Sequence, residues 1–211
     1  MLLFTPLLPA AAAANGPARA PEPASRRELA RAEVQLKRQL ARLPADSGVQ
    51  VLRRPDGVVL RVPARVLFAP DSATLRRGDA SATRALTVAA RLLQRRRRLA
   101  AQIDVYTDDI GGAALNLGFS EQRAQALAAA LHAAGVAAIR IRAHGEGLAD
   151  ALASNDTPEG RIRNRRVEIV FESAGALAAE APARPVAART PAAPTPAASL
   201  KSGLATAPAG G

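Results

Sequence analysis

The chain has 211 residues and a net charge of +11, which arginine supplies almost alone because Lys37 and Lys201 are its only lysines. It contains no cysteine, which excludes disulfides, thiolate metal sites, a cysteine nucleophile and a lipid-modified cysteine. Aromatic residues make up only 2% of the chain, and all but Phe4 lie between Phe68 and Phe171. The core is therefore expected within that span and must be built mostly from aliphatic side chains.

The N-terminal segment is apolar. Residues 1–14 are rich in leucine and alanine, with Ala12 and Ala14 at the spacing of an A-x-A cleavage site. They resemble an export signal without its usual positive start; a disordered apolar tail or a misassigned start codon is the alternative interpretation. The stretch is shorter than the about 20 apolar residues of a transmembrane helix. Residues 15–24 follow as a linker rich in alanine and proline.

A helix and a hairpin are predicted next. Ser25 and Glu28 form a capping box that opens a helix over residues 25–43, and Pro44 ends it. Its apolar stripe is imperfect, so it either packs on the domain or stays solvated. A self-associating coiled coil is less favoured because there are too few heptads. Valine-rich runs on both sides of a Pro-Asp-Gly turn predict a β-hairpin over residues 49–62.

The next two elements are a strand at residues 66–68 and a helix at residues 78–98. The helix carries alanine and leucine at helical spacing on its predicted buried face. It ends in four consecutive arginines, Arg95 to Arg98. Cations near a helix C-terminus complement the helix dipole by about 0.3–1 kcal/mol, an interpretation that we favour over a dedicated anion-binding patch.

The central segment places an acid and a base on neighbouring elements. Alternating apolar residues predict a half-buried strand over residues 103–106, which runs out at Asp108 before two glycines. In the helix that follows, Asn116, Ser120 and Arg123 share one stripe. The carboxylate of Asp108 and the guanidinium of Arg123 could therefore grip a ligand that carries both an ammonium and a carboxylate, or pair with each other.

A further strand is predicted over residues 137–142, with Ile139 and Ile141 on its inner face. The elements predicted after it are a loop at 145–157, a short helical turn at 159–165 and a strand at 166–171. This alternation predicts an α/β (α+β) two-layer sandwich of βαβαβ type, with the helices on one face of the sheet. Residues 173–211 are rich in alanine and proline and are predicted to be disordered.

Several separated positions match one family pattern. They are Phe68, Asp71, Ser72, Ala73, Thr107, Asp108, Gly111, Asn116, Ser120, Arg123, Ala124, Asn155, Thr157, Glu159, Gly160, Arg161, Asn164, Arg165, Arg166, Val167, Glu168 and Ile169. Together they resemble the OmpA-like peptidoglycan-binding domain, which also occurs in flagellar stator proteins and peptidoglycan-associated lipoproteins. The resemblance covers residues 64–172, about half of the chain, and its densest block is the last.

The resemblance implies a set of ligand-binding residues. Asp108 would take the ammonium of diaminopimelate in a peptidoglycan stem peptide, and Arg123 would take the adjacent carboxylate. Asn116 would donate a hydrogen bond or set the loop, while Thr107 and Phe68 would shape the floor of the pocket.

Three consecutive residues, Asn164, Arg165 and Arg166, are weaker binding candidates because they could instead pin the last strand. The chain lacks enzymatic motifs, so no catalysis and no cofactor are expected. The two histidines, His132 and His144, have no third ligand in the pattern, which favours satisfied or solvated histidines over a metal site.

The leading functional prediction is a non-enzymatic protein of the periplasm or cell envelope that binds peptidoglycan and anchors itself, or a partner complex, to the wall. One alternative is a basic nucleic-acid-binding protein, which is disfavoured because the arginines are scattered and aromatics are few. The other is a structural adaptor that recruits an envelope complex through residues 25–43.

Overall fold

The computed structural model describes residues 24–76 and 78–179, which form a five-stranded sheet with flanking helices. The strands are β1 (Gln50–Arg53), β2 (Val58–Pro63), β3 (Leu99–Tyr106), β4 (Ile141–Gly147) and β5 (Arg166–Ser173). The α-helices are α1 (Arg26–Leu40), α2 (Ala64–Leu67), α3 (Ala80–Arg95), α4 (Ala113–Ala133), α5 (Pro158–Asn164) and α6 (Ala174–Ala179). The predicted export signal, most of the linker and residues 180–211 lie outside the described residues.

The sheet has the strand order β1-β2-β5-β3-β4. The pair β3 and β4 is parallel and is joined through α4, whereas the other neighbours are antiparallel. One row of the register aligns Leu60 with Ile169 and Ile169 with Ile103. All three side chains are fully buried, and each contributes about 1.5–3 kcal/mol to folding. The predicted α/β two-layer fold is confirmed.

Helices α1, α3 and α4 pack on one face of the sheet and share one core cluster with it. The N-terminus of α1 is capped as predicted, since the Ser25 hydroxyl accepts a hydrogen bond from the Glu28 amide at 3.2 Å. Leu29, Ala32 and Leu36 of α1 are buried, so this helix is packed on the domain. It ends at Leu40, short of the predicted residue 43. Within the described ranges, no helix is both long and apolar enough to cross a bilayer.

The opposite face of the sheet is largely polar. Glu168, 1% exposed, accepts hydrogen bonds from Arg166 at 2.9 Å, Arg61 at 3.0 Å and Arg54 at 2.5 Å. Burial alone would raise the pKa of Glu168, but the hydrogen bond and charge of Arg166, with the charges of Arg61 and Arg54, hold it below its ordinary value. Asp104 aligns with Glu168 on the neighbouring strand. The strand predicted as half-buried is therefore covered on both faces.

One helix, α6, packs on this polar face near the start of β3. Ala174 and Leu177 form a small cluster with Ala100, whose neighbour Ala101 belongs to the main core on the other face. The prediction of helices on one face only, and of disorder from residue 173 onward, was therefore wrong for residues 173–179. Two apolar side chains and hydrogen bonds from the Ala174 amide to the Arg98 carbonyl and from Arg142 to the Leu177 carbonyl hold this short helix.

The strand predicted at residues 66–68 is not found, so this prediction was wrong. Pro63 precedes a four-residue helix, α2, in which the Phe68 amide donates to the Ala64 carbonyl at 2.9 Å. Proline fixes the backbone φ near the helical value, which favours a helical start at this point. Phe68 itself makes an isolated bridge with Leu75.

The region of β4 also differs from its prediction. Residues 138–140 form a 3-10 turn in which Ile139 is 87% exposed, and β4 runs from Ile141 to Gly147 where a loop was predicted to begin. A Cβ atom on Gly145 would lie 2.2 Å from the Glu121 amide nitrogen of α4. The glycine is thus required by the close packing of helix on strand and does not mark a loop.

Candidate functional site

The predicted binding residues gather where β3 ends and α4 begins. Thr107 and Asp108 follow β3 directly, and the Thr107 amide donates to the Gly147 carbonyl at 2.8 Å, which ties this end of β3 to β4. Asp108 is 5% exposed, and its Oδ1 accepts a hydrogen bond from the Ile110 amide at 3.2 Å. The carboxylate is therefore fixed by the loop that it opens.

The other oxygen of Asp108 pairs with Arg165, which directly follows α5. The Arg165 side chain is 41% exposed and the Asp108 side chain only 7%. The ion pair thus has a buried acidic half and an open basic half. Within residues 24–76 and 78–179, Asp108 pairs with Arg165 rather than with Arg123, so the predicted alternative of a direct Asp108–Arg123 bridge is not the arrangement found.

Arg123 lies on α4 and is 6% exposed. Its guanidinium carbon sits 4.9 Å from the ring centre of Phe68 and 4.0 Å from that of Phe119, and its Nε donates to the Ser72 carbonyl at 2.9 Å. Burial lowers the pKa of Arg123, with the charge of Asp71 opposing the shift and that of Arg165 adding to it. The guanidinium groups of Arg123 and Arg165 are therefore close enough for the charge of one to affect the other.

Asn116 and Thr107 form the frame of this site. The Asn116 side chain donates to the Ile110 carbonyl at 2.8 Å, so it sets the loop, one of the two roles considered for it. The hydroxyl of Thr107 is buried without a hydrogen-bond partner among the described residues. A buried unsatisfied polar group costs about 1–3 kcal/mol, and such a cost is often retained at functional sites.

Two of the predicted residues lie elsewhere. Asn164 is fully buried and holds the loop before α5 through the amides of Leu152 at 2.8 Å and Ala153 at 3.1 Å. Arg166 stacks 3.6 Å from the ring centre of Tyr106 and pairs with Glu168 on the polar face of the sheet. The structure therefore brings Asp108, Arg123, Arg165 and Phe68 together, with Thr107 and Asn116 behind them.

Phe119 was not predicted as part of the site. Its spacing of four residues from Arg123 puts the two side chains on one stripe of α4, and that spacing is the signal that could have identified it.

In the part of the chain that the structure describes, no three histidine, aspartate or glutamate side chains are grouped as metal ligands. The chemistry of the site is that of one acid and two bases beside aromatic rings.

Comparison with known proteins identifies the family. A sequence profile of the OmpA family matches residues 67–165. Probable lipoprotein YiaD of Escherichia coli is 44% identical over 125 residues, which is 59% of this chain and 56% of YiaD. Peptidoglycan-binding protein ArfA of Mycobacterium tuberculosis is 50% identical over 68 residues, which is 32% of this chain and 21% of ArfA. This chain therefore spans about half of YiaD and a fifth of ArfA.

Among solved structures, the cell wall anchor of the T6SS from Pseudomonas aeruginosa is similar in both fold and sequence. It superposes with a TM-score of 0.57 at 31% identity, over 65% of this chain and 96% of that one. The matching profile, the identity to YiaD and the structural match over 96% of the P. aeruginosa chain agree with one another. The chain belongs to the OmpA family.

Proposed function

We propose that this domain binds peptidoglycan without catalysing a reaction, by gripping the diaminopimelate of a stem peptide between Asp108, Arg123 and Arg165. The observation that carries the proposal is the half-open ion pair of Asp108 and Arg165 beside the buried Arg123. Asp108 with two neighbouring guanidinium groups complements a headgroup that carries an ammonium next to a carboxylate.

The binding step is an exchange of partners. The ligand ammonium approaches the Asp108 oxygen that Arg165 now occupies, and the exposed Arg165 side chain swings to the ligand carboxylate. Arg123 uses its Nε for the Ser72 carbonyl. Its two terminal nitrogens are then the fork that receives the carboxylate bidentately. Asp108 and Arg165 each exchange one charged partner for another and Arg123 gains one, so the exchange leaves no buried charge alone.

Phe68 and Phe119 set the position of Arg123 in this mechanism. Both rings lie within 5 Å of the guanidinium carbon, at 4.9 Å and 4.0 Å. Such contacts hold a guanidinium plane still and lower the entropy lost when it binds. A single zwitterionic headgroup offers few contacts, so the affinity for one site is of the order of micromolar or weaker. Repeated sites along the wall raise the effective affinity by avidity.

We further propose that the protein acts in the periplasm or cell envelope, where it anchors itself or a partner complex to the wall. ArfA is named as a peptidoglycan-binding protein, and the P. aeruginosa structure is described as a cell wall anchor. YiaD is named as a probable lipoprotein. These relatives support the assignment of compartment and of role.

An adaptor role for residues 25–43 is a second proposal, and it is restricted to the part of this segment that is exposed. Because the apolar side chains of α1 are buried in the core, a partner could meet only its outer face, where Val34 is 67% exposed. Substituting Val34→Glu leaves the core intact. Loss of a partner from pull-downs with this variant would support the adaptor role, and unchanged recovery would reject it.

The test of wall binding is co-sedimentation of the purified chain with sacculi. Asp108→Asn is expected to lower the bound fraction at least tenfold, because an amide cannot hold the ligand ammonium as a carboxylate does. Asp109→Asn is the matched control, since Asp109 is the adjacent acid in the chain and is exposed. Normal wall binding by a folded Asp108→Asn variant would refute the proposal.

The choice of ligand is tested by competition. Free meso-diaminopimelate should release the protein from sacculi, whereas Nα-acetyl-lysine amide at the same concentration should not, because its only charged group is a side-chain ammonium without a neighbouring carboxylate. Equal release by both compounds would show that the guanidinium groups do not bind the ligand carboxylate.

A further inference from the structure

One end of the domain is strongly basic, and it is the end opposite the site at Asp108. We define the basic end by its six exposed arginines, Arg26, Arg27, Arg53, Arg95, Arg97 and Arg98. The acids near it in the described chain are Glu28, Glu33, Asp56 and Glu172, and Glu33 pairs with Arg53 at 3.8 Å. Strand β3 starts here and ends at the proposed wall site eight residues later, a separation of roughly 26 Å.

Backbone contacts establish that these arginines share one end. The Ala174 amide donates to the Arg98 carbonyl at 2.8 Å, and the Ala24 amide donates to the Ser173 hydroxyl at 2.9 Å. The start of α1 and the end of α3 therefore meet at the end of β5. The hairpin turn lies at the same end of the sheet, because Val58, which follows the turn, pairs with Phe171 near the end of β5.

The end of α3 is capped by a side chain other than Arg95 or Arg97. The carbonyls of Leu93, Arg96 and Leu99 are already bound by the side chain of Arg140, at 2.8, 3.0 and 2.8 Å. Arg140 is thus the residue that closes this helix end. The neighbouring charge of Arg97 even lowers the pKa of Arg140, after the larger effect of burial. Arg97 therefore opposes the residue that caps the helix.

The arginines at the start of α1 are likewise unfavourable for the fold. Arg26 and Arg27 occupy the first turn of the helix, where the positive end of the helix dipole disfavours cations. Arg26 also lines an open cleft of about 400 Å³ with Arg53, Arg54 and Pro55. Several cations are thus gathered at one end at the expense of local electrostatics, which indicates an anionic partner.

We propose that the basic end binds the surface of a bilayer that contains anionic phospholipid. The cations are spread over the rim of the end, on α1, the hairpin turn and α3, which suits a flat charged surface better than a single small anion. A nucleic acid is less well matched because Phe171, the aromatic residue at this end of the described chain, is fully buried and cannot stack on a base. The described chain also begins, at Ala24, and ends, with α6, beside this surface.

This orientation places the wall site on the side that faces away from the bilayer. The domain would thus touch a membrane with its basic end and the wall with Asp108, Arg123 and Arg165. The membrane contact does not depend on the proposed wall binding, because the two surfaces share none of these residues. Each can therefore fail in experiment without the other.

The test is co-sedimentation of the full chain with vesicles of phosphatidylcholine alone or mixed with phosphatidylglycerol. The wild type should bind only the mixed vesicles and should be released by added salt. Substituting Arg26, Arg95 and Arg97 together by glutamine should weaken this binding at least tenfold. The matched control replaces Arg38, Arg42 and Arg163, three exposed arginines away from the basic end, and should bind within about twofold of the wild type.

The outcomes separate the possibilities. Failure of the wild type to bind mixed vesicles, or equal losses in both triple variants, would overturn the proposal, the second result because net charge alone would then explain binding. Tighter binding to duplex DNA than to mixed vesicles at equal salt would also overturn it and assign the surface to nucleic acid. Sacculus binding of the Arg26/Arg95/Arg97 variant should stay at the wild-type level, which separates this surface from the wall site.

Discussion

Two consecutive arginines, Arg165 and Arg166, form ion pairs of different character. Arg166 is 4% exposed and contacts Glu168, which is 1% exposed, whereas Arg165 is 41% exposed and contacts Asp108, which is 7% exposed. A pair that is buried on both sides is committed to the folded state, because neither partner can leave without stranding a charge. A pair with one open side can exchange its partner for a ligand.

The two carboxylates differ in the same way. Glu168 receives three guanidinium groups, from Arg54, Arg61 and Arg166, while Asp108 receives one and a single loop amide. The extra partners keep Glu168 ionised in spite of burial. Position in the chain does not distinguish these pairs; the number of partners and the exposure of the base do.

Breaking the closed pair should produce the largest loss of stability. Glu168→Gln keeps the size of the side chain but leaves the buried Arg166 without its carboxylate, so the free energy of unfolding should fall by about 3–5 kcal/mol. Urea unfolding followed by circular dichroism measures this change. A loss below about 1 kcal/mol, typical of a surface pair, would show that the polar face is not closed.

The next largest effect should come from the residue before these arginines. Asn164→Ala removes acceptors from the Leu152 and Ala153 amides and a donor to the Ala153 carbonyl, so we expect a loss of about 2 kcal/mol in unfolding free energy. Wall binding per folded molecule should remain. Weaker binding at full stability would instead make Asn164 a ligand residue.

Sequence patterns predicted the elements whose signals are local. The capping box of Ser25, the turn of the hairpin and the apolar spacing of α3 and α4 are each contained within a few turns of chain, and all four elements are found. The loop predicted to begin at Gly145 was wrong because the role of this glycine depends on a contact with Glu121 across the fold. A glycine that signals close packing and a glycine that signals a loop are identical in sequence.

The site shows the same limit more sharply. The residue pattern identified Asp108 and Arg123, but it could not assign Arg165 to Asp108, since the two lie 57 positions apart and meet only after β5 is in place. It grouped Asn164, Arg165 and Arg166 as one set. The end of α5 separates them, because each turns to a different neighbour at the start of an extended strand.

The polar face offers a smaller, pH-dependent test. Burial raises the pKa of Asp104 to about 7, with the hydrogen bonds from Gln102 opposing the shift and the charges of Glu146 and Glu168 adding to it. The folded state therefore keeps a proton that the unfolded chain releases, so Asp104 reduces stability progressively as the pH rises from about 4 to 7, and the loss levels off above that pH.

Asp104→Asn removes this titration and keeps an acceptor for Gln102. The gain in unfolding free energy from the substitution should be about 1 kcal/mol larger at pH 8 than at pH 6. Unfolding curves of both proteins at the two pH values measure it. An equal gain at both values would mean that Asp104 stays ionised throughout, and the contrast between Glu168, which three arginines keep ionised, and Asp104, whose pKa burial raises, would fail.

The smallest change in stability should follow from opening the exposed pair. Arg165→Gln removes a half-exposed base, so the unfolding free energy should change by less than about 1 kcal/mol. Arg163→Gln is the control, an exposed arginine two residues earlier, on α5. A loss of unfolding free energy as large as that of Glu168→Gln would show that the Arg165–Asp108 pair is as important for folding as the Arg166–Glu168 pair, and the proposed difference between them would be wrong.

The direction of the binding change in Arg165→Gln decides what this arginine does. If Arg165 only neutralises Asp108, its removal frees the carboxylate and binding to sacculi should strengthen. If it moves to the ligand carboxylate, as proposed, its removal costs a charge pair in the complex and binding should weaken at least tenfold, because hydrogen bonds between charged groups contribute about 1.5–3 kcal/mol each. The same measurement therefore distinguishes an arginine that only neutralises Asp108 from one that binds the ligand carboxylate, and we expect Arg165 to bind the carboxylate.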